Sequence, residues 1–195
     1  MTAPEARILH VNDDEANRYA VTRMLQKAGF EVIEAVNGQE ALQKAAQLPD
    51  LVILDVKLPD IDGYEVAARI RANPATRLLP VLHLSAHLVG VEARARGLES
   101  GADGYLTQPV EPAELVANVR AILRARRVER ELRLSLDQSS VILQNIADAV
   151  TAQDPSGRVV YANDAALRIL GYDGKQPFVS GDGPALASPF EMLEE

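Results

Sequence analysis

Four short apolar runs end in residues able to do chemistry: HVNDD, LVILD, LHLS and GYLTQ carry Asp13 and Asp14, Asp55, Ser85 and Gln108 at or just past their ends. If the runs are neighbouring parallel strands, these side chains converge beyond the strands' carboxyl ends, where open parallel sheets bind ligands. Three carboxylates in one crevice repel each other and do not all ionise without a cation. A set of oxygen ligands with no His or Cys calls for a hard ion, Mg²⁺ or Mn²⁺. A carboxylate held beside such an ion can attack phosphorus and form an acyl phosphate, while a hydroxyl such as that of Ser85 hydrogen-bonds a phosphoryl oxygen. Taken singly, each residue has an ordinary structural use. An Asp after a strand often caps a helix, and Asp13 followed by Glu15 suits that role. Asp60 and Asp62 before Gly63 are common turn residues. The joint pattern at four strand ends is what points to a site.

The elements that must position these residues follow from periodicity. Apolar, β-branched runs at 7–11, 31–36, 50–55, 79–86 and 104–107 predict five strands, separated by the helical patterns EANRYAVTRMLQKAG, GQEALQKAAQL, GYEVAARIRAN and VEARARGLESG. Strand-then-helix alternation predicts βαβ units and an α/β fold with a doubly wound parallel sheet. The runs VILD and VLHL are nearly all apolar, as inner strands covered on both faces should be. Gly29, Gly38 and Gly101 fall where helices stop or start, and Pro49 and Pro80 fall at or just before strands. His10 and His83 lie inside strands and read as satisfied core residues, whereas His87, two after Ser85, lies close to the expected site.

Other phosphate chemistries fit poorly. The loop after the first strand, HVNDDEANR, would repel a bare phosphate, and neither GxxxxGK[ST] nor G-x-S-x-G occurs. The chain has 195 residues, net charge −8 and no Cys, which excludes disulfides, thiolate metal sites and Cys nucleophiles. Its arginines cluster in RAILRARRVERELR but alternate with glutamates at helical spacing, so a solvated helix face is expected and no nucleic-acid contact. The amino terminus does not read as a secretory signal and no run is long enough to span a bilayer, so a soluble, cytoplasmic protein with no membrane contact is expected.

From residue 111 the pattern changes. The stretch 111–147 holds no Gly and no Pro after Pro112, which suits a first helical turn. Leu115, Val119, Ile122, Val128, Leu132, Leu136, Ile142 and Ile146 form an apolar stripe, interrupted at Arg126 and Ser139. A continuous helix there would run about 50 Å, further than the first domain can cover, and so predicts a coiled-coil connector and a homodimer. The alternative is two helices broken near 134–140. Beyond it, DAVTAQDPSGRVVYANDAALRILGY predicts strand, tight turn at 154–157, strand and short helix, followed by a turn-rich tail too poor in apolar residues to complete a core.

Over about residues 5–125 the chain resembles the receiver domain of two-component response regulators. The resemblance rests on VNDDE, LVILDVKLPDIDGYEV, LHLSA and GADGYLTQP. It implies a flavodoxin-like (βα)5 sheet of order 2-1-3-4-5. It implies that Asp55 accepts a phosphoryl group from a phosphohistidine of a partner histidine kinase or phosphotransfer protein. Asp14 and Asp55 would then bind Mg²⁺ through side chains, Lys57 through its backbone carbonyl, and Asp13 through water. Ser85 and Tyr105 would be the pair that rearranges. Residues 148–195 resemble the beginning of a PAS domain, which implies that the chain is the N-terminal part of a larger sensor protein, with a sensor histidine kinase as the expected parent.

One position departs from the receiver pattern: Gln108 stands where the family has Lys. A Lys paired with Asp55 at ~4 Å would contribute a gross Coulomb term of about 4 kcal/mol, much reduced by desolvation, which Gln lacks. The expectation is intact Mg²⁺ binding with slower or poorly coupled phosphorylation, partly offset by the Lys57 side chain. The competing readings are a phosphorylation-independent dimerising scaffold and a metal-dependent aspartyl-phosphate phosphatase. Such enzymes usually carry a general-acid Asp two after the nucleophile, and Lys57 stands there.

Overall fold

The computed structural model describes residues 4–85, 101–155 and 159–169. The chain divides into two compact units, Met1–Val128 and Glu129–Glu195.

In the first unit, strands β1 (Arg7–Val11), β2 (Glu31–Ala35), β3 (Leu51–Leu54), β4 (Val81–Ser85) and β5 (Gly104–Thr107) form one parallel sheet in the order 2-1-3-4-5. The expected order and all five strands are present. Helices α1 (Glu15–Lys27), α2 (Gly38–Ala45) and α3 (Gly63–Ala72) follow the first three strands. The predicted helix over VEARARGLESG lies mostly outside the described residues, as does His87.

Strand β3 explains why its sequence is unbroken LVIL. Val52 and Leu54 enter the apolar cluster on one face with Leu9, Val66 and Ile70, while Leu51 and Ile53 enter the cluster on the other with Ile8, Leu25 and Leu115. All four are fully buried, so alternation with polar residues is impossible there. The first charged residue the chain can place after β3 is Asp55, at the sheet's carboxyl edge.

Caps set where the helices begin. Asp14 caps α1, its Oδ1 accepting from Asn17 N–H at 2.7 Å; the cap expected at Asp13 thus falls one residue later. Asn37 caps α2 by accepting from Glu40 N–H, and Glu40 returns the bond to Val36 N–H. Asp62 caps α3. Asp60 is more than a turn residue: its two oxygens accept from Gly38 and Gln39 N–H at 2.8 and 2.9 Å, tying the β3–α3 loop to the start of α2. Gly29, at φ +96°, ends α1 in a conformation that costs other residues more.

Helix α4 (Pro112–Asn145) is 34 residues long. In the first unit Leu115 and Val119 are buried against the sheet, and two arginines hold the helix. Arg120 pairs with Glu5 at 2.9 Å and lies 5.8 Å over the Phe30 ring. Arg126 pairs with Asp103 at 2.9 Å; that carboxylate also accepts from Arg71 at 2.6 Å and Val81 N–H at 2.8 Å. The residue that interrupts the apolar stripe therefore makes an ion pair. Val128, Leu132, Leu136 and Ile142 are each more than half exposed.

In the second unit, β6 (Thr151–Gln153) and β7 (Val159–Ala162) pair antiparallel and α5 (Asp164–Ile169) follows. Asn163 ties these to the end of α4. Its Nδ2 donates to the carbonyls of Leu143, Ile146 and Asp148, and its Oδ1 accepts from Val150 and Ala166 N–H. The expected turn at 154–157 lies partly outside the described residues.

Among the described residues no helix is long and apolar enough to cross a membrane. A methyl group added at Gly63 would sit 2.1 Å from the Asp55 carbonyl oxygen and 2.9 Å from Val56 Cα, both backbone atoms that cannot swing aside. Gly63→Ala should therefore destabilise the first unit by roughly 2–3 kcal/mol, read as the shift of the urea unfolding midpoint at constant slope.

Candidate functional site

Asp55 is half-buried where β3 gives way to its loop. Its backbone N–H donates to Val11 O at 3.0 Å, which docks the residue against the end of β1. Its Oδ2 accepts from Asn12 Nδ2 at 3.0 Å, and its Oδ1 accepts from Lys57 N–H at 3.3 Å. The close approach of Gly63 to its carbonyl, with Gly63 N–H donating to Val56 O at 2.8 Å, holds the loop that follows.

Asn12 is the residue that reading the sequence missed. The acidic pair beside it drew attention, yet the chain after β1 puts Asn12 inward, 1% exposed, and leaves Asp13 and Asp14 exposed. The available signal was position: Asn12 is the first residue beyond the strand, and Asp14 stands immediately before the first helical residue, where caps occur.

Ser85 is buried at the end of β4, and its carbonyl accepts from Gln108 N–H at 2.9 Å. Gln108 thus lies at the expected strand end, followed by a cis peptide bond to Pro109. Its side-chain Oε1 is buried with no hydrogen-bond partner among the described residues. Tyr105 is half-buried on β5, its ring 6.4 Å from that of His83, and the Tyr64 ring meets His83 edge-on at 5.0 Å.

The expected crevice of three carboxylates is not formed. Among the described residues no three His, Cys, Asp or Glu side chains group closely enough to hold a metal ion, and Asp14 is turned to the cap of α1. The physical reason is local: the four unpaired N–H groups opening α1 compete for the nearest carboxylate. The remaining donors, the Asp13 and Asp55 carboxylates and the Lys57 carbonyl, are all hard oxygens. They fit Mg²⁺, which usually keeps several waters and takes one or two carboxylates.

The two strand histidines differ from one another. His10 is buried with Nδ1 3.4 Å from Thr22 Oγ1. His83 is fully buried with Nδ1 3.3 Å from Leu54 O, but its Nε2 has no partner among the described residues, so its expected satisfaction is only half met there. Burial, with the Arg18 charge adding to it, lowers His10 to about 4. Burial also lowers His83 to about 4, against the pull of the Leu54 carbonyl and Asp62.

A family model for the response regulator receiver domain matches residues 8–120, and one for the PAS fold matches 137–178, so both resemblances seen in the sequence hold. Response regulator PleD of Caulobacter vibrioides is 40% identical over 161 residues, 82% of this chain and 35% of PleD. Transcriptional regulatory protein AfsQ1 of Streptomyces coelicolor is 38% identical over 164 residues, 84% of this chain and 69% of that protein. The solved structure of chemotaxis protein CheY4 of Vibrio cholerae aligns at 33% identity with a TM-score of 0.56, over 60% of this chain and 98% of that one. The chain spans about a third of the length of PleD and about half that of several other curated relatives.

The histidines make stability depend on pH. Both protonate at the ordinary 6.5 once unfolded but only near 4 when folded. Between those values the unfolded chain binds more protons, so stability falls as pH drops through the window. At pH 5 the loss should be on the order of 2 kcal/mol per imidazole. Urea unfolding at pH 7 and pH 5 checks this, and His83→Leu should remove about half of the difference; an unchanged difference would exclude His83 as a source.

Proposed function

The chain belongs to the response-regulator receiver family, and on that footing we propose that Asp55 is its phosphoacceptor, charged by a phosphohistidine of a partner histidine kinase or phosphotransfer protein. The observation that carries the reading is the placement of Asp55: a half-buried carboxylate at the end of a fully buried strand, held by two N–H donors. An Asp55 oxygen forms the bond to phosphorus as the phosphorus–nitrogen bond to the partner's imidazole breaks, and the imidazole leaves with the electron pair.

Receiver domains generally bind Mg²⁺ at the phosphorylation site, where it neutralises phosphoryl oxygens. In this chain Asp13, Asp55 and the Lys57 carbonyl would hold it, while Asp14 keeps its cap. Ser85 receives a phosphoryl oxygen through its hydroxyl and Tyr105 follows it inward, which shifts the population of the surface around β5. Helix α4 starts five residues past the end of β5 and carries that change toward the PAS-like segment. Gln108 offers a neutral amide where the family has an ammonium, so the transfer is slow.

Mass spectrometry after incubation with acetyl phosphate and Mg²⁺ tests this. The chain should gain one phosphoryl group and Asp55→Ala none. Gln108→Lys should be labelled about tenfold faster, the difference between a charged and a neutral hydrogen bond to the phosphoryl group. Lys57→Ala should be slower than the parent. Equal rates for all three would remove the roles given to Gln108 and Lys57. No label at all would favour the scaffold reading, and steady turnover of a phosphomonoester the phosphatase.

The same reading assigns helix 111–147 to a homodimer. Its exposed Val128, Leu132 and Ile142 fall on one heptad seam, and the exposed Leu136 lies beside it. Sedimentation should give a dimer, and Leu132→Asp with Leu136→Asp a monomer. A monomeric parent chain would overturn the assignment.

A further inference from the structure

Every polar atom of Asn12 is committed. Its backbone N–H donates to Ala35 O at 3.1 Å and its carbonyl accepts from Arg18 Nη1 at 2.8 Å. Its side-chain Oδ1 accepts from Asp14 N–H at 2.9 Å, and its Nδ2 donates to Asp55 Oδ2 at 3.0 Å. The amide cannot be reversed. An N–H must meet an oxygen and a carboxylate must meet an N–H, so only one orientation satisfies both neighbours. The contact from β1 to Asp55 is therefore a neutral donor, at a position where an acid of the same shape would present a second negative charge.

We propose that Asn12 is a positioning residue that orients the Asp55 carboxylate without a cation and lowers the affinity of the site for Mg²⁺. The proposal rests on Asp55 being the phosphoacceptor. Two effects follow from the one hydrogen bond. The Asp55 carboxylate is held on one oxygen by a side chain that is itself pinned at both ends, so its plane is set before any ligand arrives. The crevice also carries one negative charge fewer than the same backbone would hold with Asp at position 12. Affinity for a hard divalent cation rises with the number of carboxylates offered to it, so this site binds Mg²⁺ more weakly than its geometry allows.

The near-isosteric variant Asn12→Asp is the deciding one. Without Mg²⁺ it should melt below the parent chain, because two carboxylates then face each other. Calorimetric titration of the full chain with MgCl₂ should show binding roughly tenfold tighter than in the parent, with the melting temperature recovering as Mg²⁺ is added. Asn12→Ala should keep the parent's Mg²⁺ affinity but take the acetyl-phosphate label about tenfold more slowly at saturating Mg²⁺, for loss of a hydrogen bond to a charged group. Mg²⁺ binding by Asn12→Asp no tighter than by the parent, or labelling of Asn12→Ala at the parent's rate, would overturn the proposal. A parent chain that takes no label would remove the reading of Asp55 and the positioning role with it, while the calorimetric comparison still decides the effect on Mg²⁺ affinity.

Discussion

The Asp55 carboxylate stands at the rim of an apolar sheet, and three segments of the first unit meet it there. Strand β3 has no polar residue because both its faces are covered, so it delivers its first charge at the edge and nowhere earlier. Asn12 arrives from β1, the Lys57 N–H from the following loop, and Gly63 lets that loop close against the Asp55 carbonyl. Asp60 then anchors the same loop to α2, where two helix-opening N–H groups hold its carboxyl below the usual range, that of Gly38 contributing most. Asp55 and the loop that supports it are one hydrogen-bonded piece.

The opposite condition holds one strand away. Among the described residues His83 Nε2 and Gln108 Oε1 are buried acceptors without donors, and both flank Ser85, one two residues before it on β4 and the other bonded to its carbonyl through the backbone. Each unsatisfied atom costs about 1–3 kcal/mol. Such costs are tolerated where an alternative arrangement is part of the function. The well-satisfied side of the site holds Asp55; the poorly satisfied side holds Ser85.

Helix α4 obeys two different sets of forces along its length. Its first turns are held by burial of Leu115 and Val119 and by the Arg120 and Arg126 pairs. Its last turn is closed by Asn163, which meets three carbonyls near the helix end and caps α5 as well. In the stretch between, Leu132 and Leu136 are exposed.

The succession of strands and helices along the chain, the buried character of β3 and the continuous pattern past Pro112 were legible in the residues, because apolar periodicity records which face of each element is covered; the family and the sheet order were legible only through the resemblance of four motifs. The role of a single polar side chain was not. From the sequence Asp13 reads as the cap and Asp14 as the direct ligand, Asp60 as a plain turn residue, and Asn12 draws no notice beside two acids. Which donor meets which acceptor depends on distances of about 3 Å between segments tens of residues apart. Local sequence sets the elements; only their packing decides that Asn12 reaches Asp55, that Asp14 stays with its own helix, and that His83 is left with one nitrogen unmet.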